Sequence, residues 1–376
     1  MSTPRTVLVV GGGAAGNAVT ILLRRAGVAV DLIEAKDDWN ATAGSGITLQ
    51  GNALRVLRGL GVWERVRACG HGFDAVGITA PDGTVLHVAE GLRTGGDDLP
   101  ATVGMRRPQL QRVLIDAVRA SGARVRLGTR ATSLDQDAQG VSVTFTDGTA
   151  NRYDLVIGAD GLGSTTRAAI GITARPEPTG MAIWRVAAPR PAGVTRSDLT
   201  YGGPAYIAGY SPTSATTLYA FVVEAARDRV SIPPESYADE MRRLARGYGG
   251  FWPEITAHIT DPARVNYTWF DRMLVQGAWH RGRVVLAGDA AHCCPPTLAQ
   301  GAALSLEDAW VLARMLTSAP SWDDALLRAY YERRIARVKP VVEASVRIGQ
   351  WQLDGARDAD VPGLMGRTMT MLREPP

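Results

Sequence analysis

The stretch "TVLVVGGGAAGNAVTILLRRAGVAVDLIEA", residues 6–35, decides the fold. Residues 6–10 are short, apolar and β-branched, the pattern of a strand buried on both faces of a parallel sheet. They run directly into Gly11, Gly13 and Gly16, spaced G-x-G-x-x-G. Residues 17–27 carry apolar positions at helical spacing and stop at Gly27, and residues 28–35 read as a second strand that ends near Glu34. Each glycine has a mechanical reason. Gly11 permits the tight turn, Gly13 lets a pyrophosphate approach the backbone, and Gly16 lets helix and strand pack closely. The helix N-terminus then offers unpaired N–H groups and a partial positive charge to the phosphates. An acid at the position of Glu34 accepts hydrogen bonds from an adenosine ribose. The stretch predicts a dinucleotide-binding βαβ unit with Gly11, Gly13, Ala15, Gly16 and Glu34 as contacts. The pattern alone does not separate FAD from NAD. Lys36 either reaches an adenosine phosphate or stays solvated.

Outward from this unit the chain changes character and then returns to it. "GSGITLQGNALRVLRGLGVWERV" (44–66) reads as a glycine-rich loop leading into an amphipathic helix. Residues 77–91 alternate around Pro81-Asp82-Gly83 as a hairpin. Residues 106–122 read as a helix with Pro108 in its first turn, and three short strands follow up to about residue 148. "YDLVIGADGLGSTTR" (153–167) is an apolar strand ending at Asp160 and Gly161. An acid at the carboxyl end of a parallel strand either contacts a ligand or caps the next helix. From about 173 to 271 the strands alternate and are rich in Trp and Tyr, with helices near the end. The last third returns to strand–turn–helix order, with a long helical stretch interrupted or kinked at Pro340.

These patterns predict an α/β fold: a Rossmann-like nucleotide domain from residues 1–72, 103–172 and 272–376, and an inserted antiparallel-sheet domain from 73–102 and 173–271. The 376 residues hold 45% hydrophobic and 21% charged side chains, as in a globular protein with a large core. The formal net charge of +4 is spread along the chain with no basic block, so a nucleic-acid partner is not indicated. No stretch approaches ~18 consecutive apolar residues, so no transmembrane helix and no stable membrane association are expected. The apolar run at the start is too short for a signal-peptide core. Three cysteines make no disulfide framework and suit a reducing, cytoplasmic setting.

Residues 286–302, "LAGDAAHCCPPTLAQGA", are the other informative segment. Asp289, His292, Cys293 and Cys294 together suggest a metal site or a reactive thiol. Adjacent cysteines with one nearby histidine do not give metal-ligand spacing, however, and no second cluster completes the set. His71, His87, His258 and His280 have no partner spacing, so surface or capping roles are expected for each.

Four segments agree in order: G-x-G-x-x-G with Glu34, the helix opening Arg107-x-x-Leu110, Asp160-Gly161, and Gly288-Asp289 with Pro296-x-x-x-Gln300-Gly301. Together they resemble the single-component FAD-dependent aromatic hydroxylases, the p-hydroxybenzoate hydroxylase-like group that includes 3-hydroxybenzoate, 6-hydroxynicotinate and salicylate hydroxylases. The resemblance spans nearly the whole chain. It implies that FAD is held non-covalently and that NADH or NADPH visits transiently as electron donor. It implies that dioxygen, through a flavin hydroperoxide, hydroxylates a small aromatic or heteroaromatic substrate. Epoxidation, oxidative decarboxylation, oxidase chemistry and a non-catalytic FAD-binding module are the alternatives.

By resemblance, Arg107 reaches the phosphate or ribityl region, Ala131 meets adenine, and Asp160 is shared between FAD and NAD(P)H. Asp289 holds the ribityl chain, Pro296 stiffens the loop over the flavin, and Gln300, Gly301 and Ala302 open a helix toward it. On the substrate side the expected residues are Tyr206 and Tyr210 as catalytic groups, with Trp184, Arg185, Tyr219, Phe221 and Cys293 lining the pocket. Residues 206, 208 and 210 are expected on one strand face. An ordinary tyrosine, with a pKa near ~10, is a poor base at neutral pH, so Tyr206 either orients substrate or belongs to sheet packing. Arg185 either pairs a substrate carboxylate or forms an inter-domain ion pair. Two departures from the family pattern stand out: Ala43 before Gly44, where an arginine is common, and Gly51 in place of a proline. A monomer or homodimer is expected.

Overall fold

The computed structural model describes residues 5–41, 45–228 and 231–376. Its centre is a six-stranded sheet in the order 280–281, 284–286, 155–158, 6–10, 29–33, 124–126. All pairs are parallel except the edge strand His280–Arg281. Val7, Leu8 and Val9 are fully buried, which is why this strand shows an unbroken apolar run rather than alternation. Helix Ala14–Arg25 packs against helices Arg107–Ala120 and Gly301–Ser318, covering one face of the sheet. It ends where Gly27 adopts φ +82°, a left-handed conformation that suits glycine.

A second, eight-stranded sheet runs in the order 292–293, 266–274, 177–189, 217–225, 207–212, 197–201, 75–79, 85–90. Side chains alternate between its faces. Ala182, Trp184 and Val186 point to the face covered by Met241, Leu244 and Trp252 of helices Tyr237–Ala245 and Trp252–Ala257. Met181 and Ile183 point to the other face, with Val223, Phe270 and Leu353 of the long helix Asp324–Leu353. Strand His292–Cys293 pairs with Met273–Leu274, so the segment after Asp289 is stitched to this sheet.

Several local expectations change. The predicted glycine-rich loop is instead, over Gly46–Gln50, a strand paired with Thr102–Arg106, a partner far away in sequence. A Cβ on Gly46 would lie 2.4 Å from Tyr219, so the bare glycine is what lets the tyrosine rest on this strand. Gly51 has a similar reason: a Cβ there would come 2.5 Å from the Gly95 backbone nitrogen. Ala43 and Gly44 lie outside the described residues. Pro340 does not interrupt its helix, which runs for 30 residues from Asp324 to Leu353. The proline costs one backbone hydrogen bond, and the packing of Val338, Val341 and Val342 into the main core holds the helix together there. His280 is buried and its Nε2 lies 2.8 Å from Asp324 Oδ1, so it is not a surface residue. Among the described residues no helix is long and apolar enough to cross a membrane.

Candidate active site

The glycine loop separates two kinds of constraint. A Cβ on Gly11 (φ +104°) would lie 2.4 Å from the Ala159 carbonyl oxygen, and one on Gly16 would lie 1.9 Å from that of Gly11. These two positions are fixed by the protein packing on itself. A Cβ on Gly13 would meet nothing within 4 Å. The helix it opens has no side-chain cap, so its first N–H groups face that space. This is a cradle that fits a pyrophosphate. Ala15 is buried beneath it, with its Cβ against Gly288. Glu34 is oriented by the backbone: Oε2 accepts from Gly12 N–H at 2.9 Å and Oε1 from Lys36 N–H at 3.0 Å. Lys36 is exposed and donates to the Ala41 carbonyl. Ala131 opens strand Ala131–Gln136 and pairs with Phe145. Asp160 accepts from the Ser164 hydroxyl at 2.5 Å and from Thr166 N–H at 2.9 Å, so it ties down the turn into helix Thr165–Ala169.

The Asp289 segment forms the opposite wall. Asp289 sits in the single turn Gly288–Ala290, and Ser305 Oγ approaches its carboxylate at 3.4 Å. Burial pushes its pKa up, while His292 and Arg107 act in the other direction. Burial and the Asp289 charge also push the Cys293 thiol well above its ordinary value and the Cys294 thiol up to about 12. Neither is a thiolate at neutral pH, so neither has the character of a nucleophile. Among the described residues no group of three metal-capable side chains occurs. Pro296 is exposed and opens the short turn Pro296–Leu298. Ala299 follows with φ +52°, the one non-glycine at positive φ among the described residues, and aims the chain into helix Gly301–Ser318. That helix also lacks a side-chain cap, and space is open beside Gly301. Gly301 and Ala302 therefore present free N–H groups. The Gln300 side chain is buried and accepts from Asn52 Nδ2 at 3.0 Å, so only its backbone faces outward.

The second sheet supplies the third wall. Arg107 lies within electrostatic reach of Asp289, Arg185 and Tyr219, which brings the nucleotide helix, the Asp289 turn and the sheet face together. Tyr219 and Phe221 stack with ring centroids 5.2 Å apart. Arg185 donates from Nη1 to Thr268 Oγ1 at 2.7 Å and makes no ion pair among the described residues. Of the two roles open for it, an ion pair is not formed among the described residues. Cys293 lies at the edge of this wall, its sulfur 3.6 Å from the Asp271 carbonyl oxygen.

Two expected pocket residues lie elsewhere. Trp184 is fully buried on the helix-covered face, where Nε1 donates to Glu224 at 2.7 Å and the ring packs on Tyr267. Tyr210 is on that same face and donates to Asp198 at 3.1 Å; burial and Asp198 raise its pKa well above the ordinary value. Tyr206 does not share its face. It precedes strand Ile207–Pro212 and packs with Met181, Ile183, Val223 and Phe270 on the cleft side. Residue 206 lies outside the strand, so the strand's alternation does not extend to it.

Sequence reasoning missed the support behind the site. Asp308 accepts from Arg334 Nε at 2.6 Å, His292 Nε2 at 2.7 Å and Gly288 N–H at 2.8 Å. Glu307 accepts from Arg337 Nε at 2.7 Å, Arg334 Nη2 at 3.2 Å and Asn52 Nδ2 at 3.0 Å. All are buried. The signal was present as adjacent acids in an otherwise apolar helix, "ALSLEDAWVL", and as arginines three apart in "YERRIARV". Arg167, also buried, links the two loops by donating to the Ala290 and Leu162 carbonyls at 3.0 and 2.9 Å.

A dinucleotide cradle, a buried acid over an open helix N-terminus and an aromatic sheet face define a flavoprotein oxygenase fold. The FAD binding domain family matches residues 5–345, and the chain belongs to it. YetM of Bacillus subtilis, provisionally assigned as an FAD-dependent monooxygenase, is 33% identical and covers 98% of this chain and 99% of its own. Aurachin C monooxygenase/isomerase of Stigmatella aurantiaca is 31% identical, covering 93% of this chain and 90% of its own. HpxO of Klebsiella pneumoniae, solved with FAD and uric acid, has the same fold with a TM-score of 0.82 at 24% identity, covering 98% and 92% of the two chains. The chain is an FAD-dependent monooxygenase.

Proposed function

We propose that this monooxygenase hydroxylates a small aromatic or heteroaromatic compound with electrons from NAD(P)H. The observation that carries the substrate side is the meeting of Arg107, Asp289, Arg185 and Tyr219 at one cleft. The phosphates of FAD would lie at Gly13 and the helix N-terminus behind it, with the ribose at Glu34. Arg107 and Asp289 would hold the linker to the ring system, and Ala131 the adenine. When bound, FAD supplies the redox chemistry and the activation of dioxygen. The protein binds, orients and tunes. Free N–H groups of Gly301 and Ala302 and the positive end of their helix favour negative charge on the bound ring system. Tyr219 and Phe221 provide an apolar stacked surface for a flat ring. Arg185, braced by Thr268 and without an acidic partner, is placed to take a carboxylate or phenolate. Tyr206 and Cys293 would edge the pocket and Pro296 would form its rim.

Names of relatives support this class: PtnB3 of Streptomyces platensis, 32% identical over 349 residues, is a 3-amino-4-hydroxybenzoate 2-monooxygenase. The division into a nucleotide domain and an inserted sheet domain, with the cleft between them, belongs to the same proposal, as do a cytoplasmic location and a monomeric or homodimeric state. The test is NAD(P)H oxidation by the FAD-loaded protein with a panel of aromatic acids, phenols and anilines, followed by mass spectrometry. Substrate-stimulated oxidation with gain of one oxygen atom is expected. Oxygen insertion into a non-aromatic compound, or hydrogen peroxide as the sole product with every aromatic, would replace this reading with another oxygenase or oxidase reaction.

A further inference from the structure

The cleft accounts for Arg107 and Arg185 but not for a second cationic cluster just beyond it. A groove of about 300 Å³ is lined by Arg106, His258, Arg264, Thr216, Thr217 and Thr260, and no acidic side chain lines it. Arg106 and Arg264 form no ion pair among the described residues. Among the described residues the one hydrogen bond from the Arg264 side chain is long, 3.4 Å to the Ala187 carbonyl. At the rim, Arg190 N–H donates to the Thr216 carbonyl, and its guanidinium lies 3.1 Å from the His71 ring rather than against a carboxylate. Arg190 Nε is buried without a hydrogen-bond partner. Guanidiniums gathered without acids create a positive potential that an anion relieves. Three hydroxyls and several guanidinium donors supply the hydrogen bonds that phosphate oxygens accept.

The groove lies at the ends of the strands that line the cleft. Arg185 pairs with Phe221, Ala187 with Tyr219 and Pro189 with Thr217, so Thr217 lies two residues from Tyr219 on its face. At about 3.4 Å per residue, that is a step of roughly 7 Å. Arg106 immediately precedes Arg107, so the strand that feeds the cleft also feeds the groove. A ligand anchored here by an anionic group can extend its other end to the cleft. A step that short is within reach of one aromatic acid, so it is the groove's charge, guanidiniums and hydroxyls with no carboxylate among the described lining residues, that selects a phosphate. A nicotinamide dinucleotide spans groove and cleft.

We propose that this groove holds a phosphate of the reducing nicotinamide dinucleotide. The proposal rests on the reading of the chain as an NAD(P)H-using enzyme. The test is anaerobic rapid mixing of the FAD-loaded protein with NADH and with NADPH, comparing wild type with Arg106→Gln/Arg264→Gln. Both positions are exposed, and flavin content checks that the variant is folded. The Kd read from the concentration dependence of flavin reduction should rise about tenfold or more, the loss expected for a charge-assisted contact. The limiting rate should be unchanged, and the weakening of binding by added salt should be shallower in the variant. An equal rise for both nucleotides places the pyrophosphate in the groove, and a rise for NADPH alone places the 2′-phosphate there. An unchanged Kd for both overturns the proposal. A wild-type protein that is bleached by dithionite but by neither nucleotide overturns the underlying reading, and the groove's assignment with it.

Discussion

Asp308→Asn removes one of four buried charges that neutralise one another behind the turn Gly288–Ala290. Asp308 and Glu307 carry two negative charges, Arg334 and Arg337 two positive ones, and the first three are inaccessible to solvent. Without the Asp308 charge, Arg334 keeps only Glu307, which already serves Arg337 and Asn52. Removing one partner of a buried pair typically destabilises by roughly 3–5 kcal/mol. At about 2 °C per kcal/mol for a chain this large, Tm should fall by roughly 6–10 °C. Gly288 N–H and His292 lose a charged acceptor in the same step, so FAD should also be held less tightly. The assay is thermal unfolding by circular dichroism, with and without FAD, at neutral pH. Replacing the pair together, as Asp308→Leu/Arg334→Met, should cost less than Asp308→Asn alone, because no charge is then left unpaired. The pH dependence has a definite sign. Burial raises the Asp308 pKa, but His292 and Arg334 prevail and hold it below the usual carboxylate range. Its stabilisation is therefore present above the unfolded carboxylate range and is lost as pH falls through the depressed folded value, so the deficit of the variant should shrink in acid. A loss below about 1 kcal/mol, or a double variant worse than the single one, would refute the reasoning.

Other substitutions separate folding from function. Gly13→Ala should leave the Tm of the FAD-free protein unchanged and reduce FAD retention, since its Cβ meets only open space; Gly16→Ala should lower Tm itself, since its Cβ would lie 1.9 Å from a carbonyl oxygen. Equal effects of the two on FAD-free stability would contradict this division. Asp289→Asn should raise the Tm of the FAD-free protein at pH 7–8, because burial raises the Asp289 pKa and its ionised form opposes folding above the ordinary carboxylate range. That gain should fade toward acid pH while FAD retention falls; a variant less stable at every pH would show the charge to be compensated. Tyr210→Phe should cost roughly 1–2 kcal/mol through the lost bond to Asp198 and leave turnover intact. A collapse of turnover at normal Tm would return Tyr210 to the chemistry.

What the sequence disclosed follows the range of the interactions involved. The nucleotide loop was readable because its constraints are local: Gly11 and Gly16 are fixed by contacts a few residues away and by one neighbouring strand. The hairpin around Asp82 and the helix opening at Arg107 are local in the same sense. Strand Gly46–Gln50 was not readable because its partner is Thr102–Arg106 and the reason for Gly46 is Tyr219. The sheet-side wall of the cleft suffered most. Which face of a strand a tyrosine occupies depends on where the strand begins, and a shift of one residue exchanges cleft for core. Tyr206 and Tyr210, expected side by side, belong to opposite faces for that reason.

The segment Asp289–Cys294 shows why closeness in sequence misled most where the composition looked richest. A single turn followed by a two-residue strand sends successive side chains in different directions. Asp289 turns to the cleft and meets the field of Arg107. His292, three residues on, turns away into the core, where Trp279 packs on its ring and Asp308 accepts a hydrogen bond from its Nε2. Cys293 follows the strand pairing toward Met273 and Asp271. A metal or a catalytic thiol would need these groups to converge, and backbone geometry makes them diverge. Divergence is what a clamp requires: one side chain for the ligand, one for the scaffold behind it, and one for the sheet that forms the facing wall. His292 and the Gly288 N–H both bind Asp308, so the turn that carries Asp289 is anchored from behind.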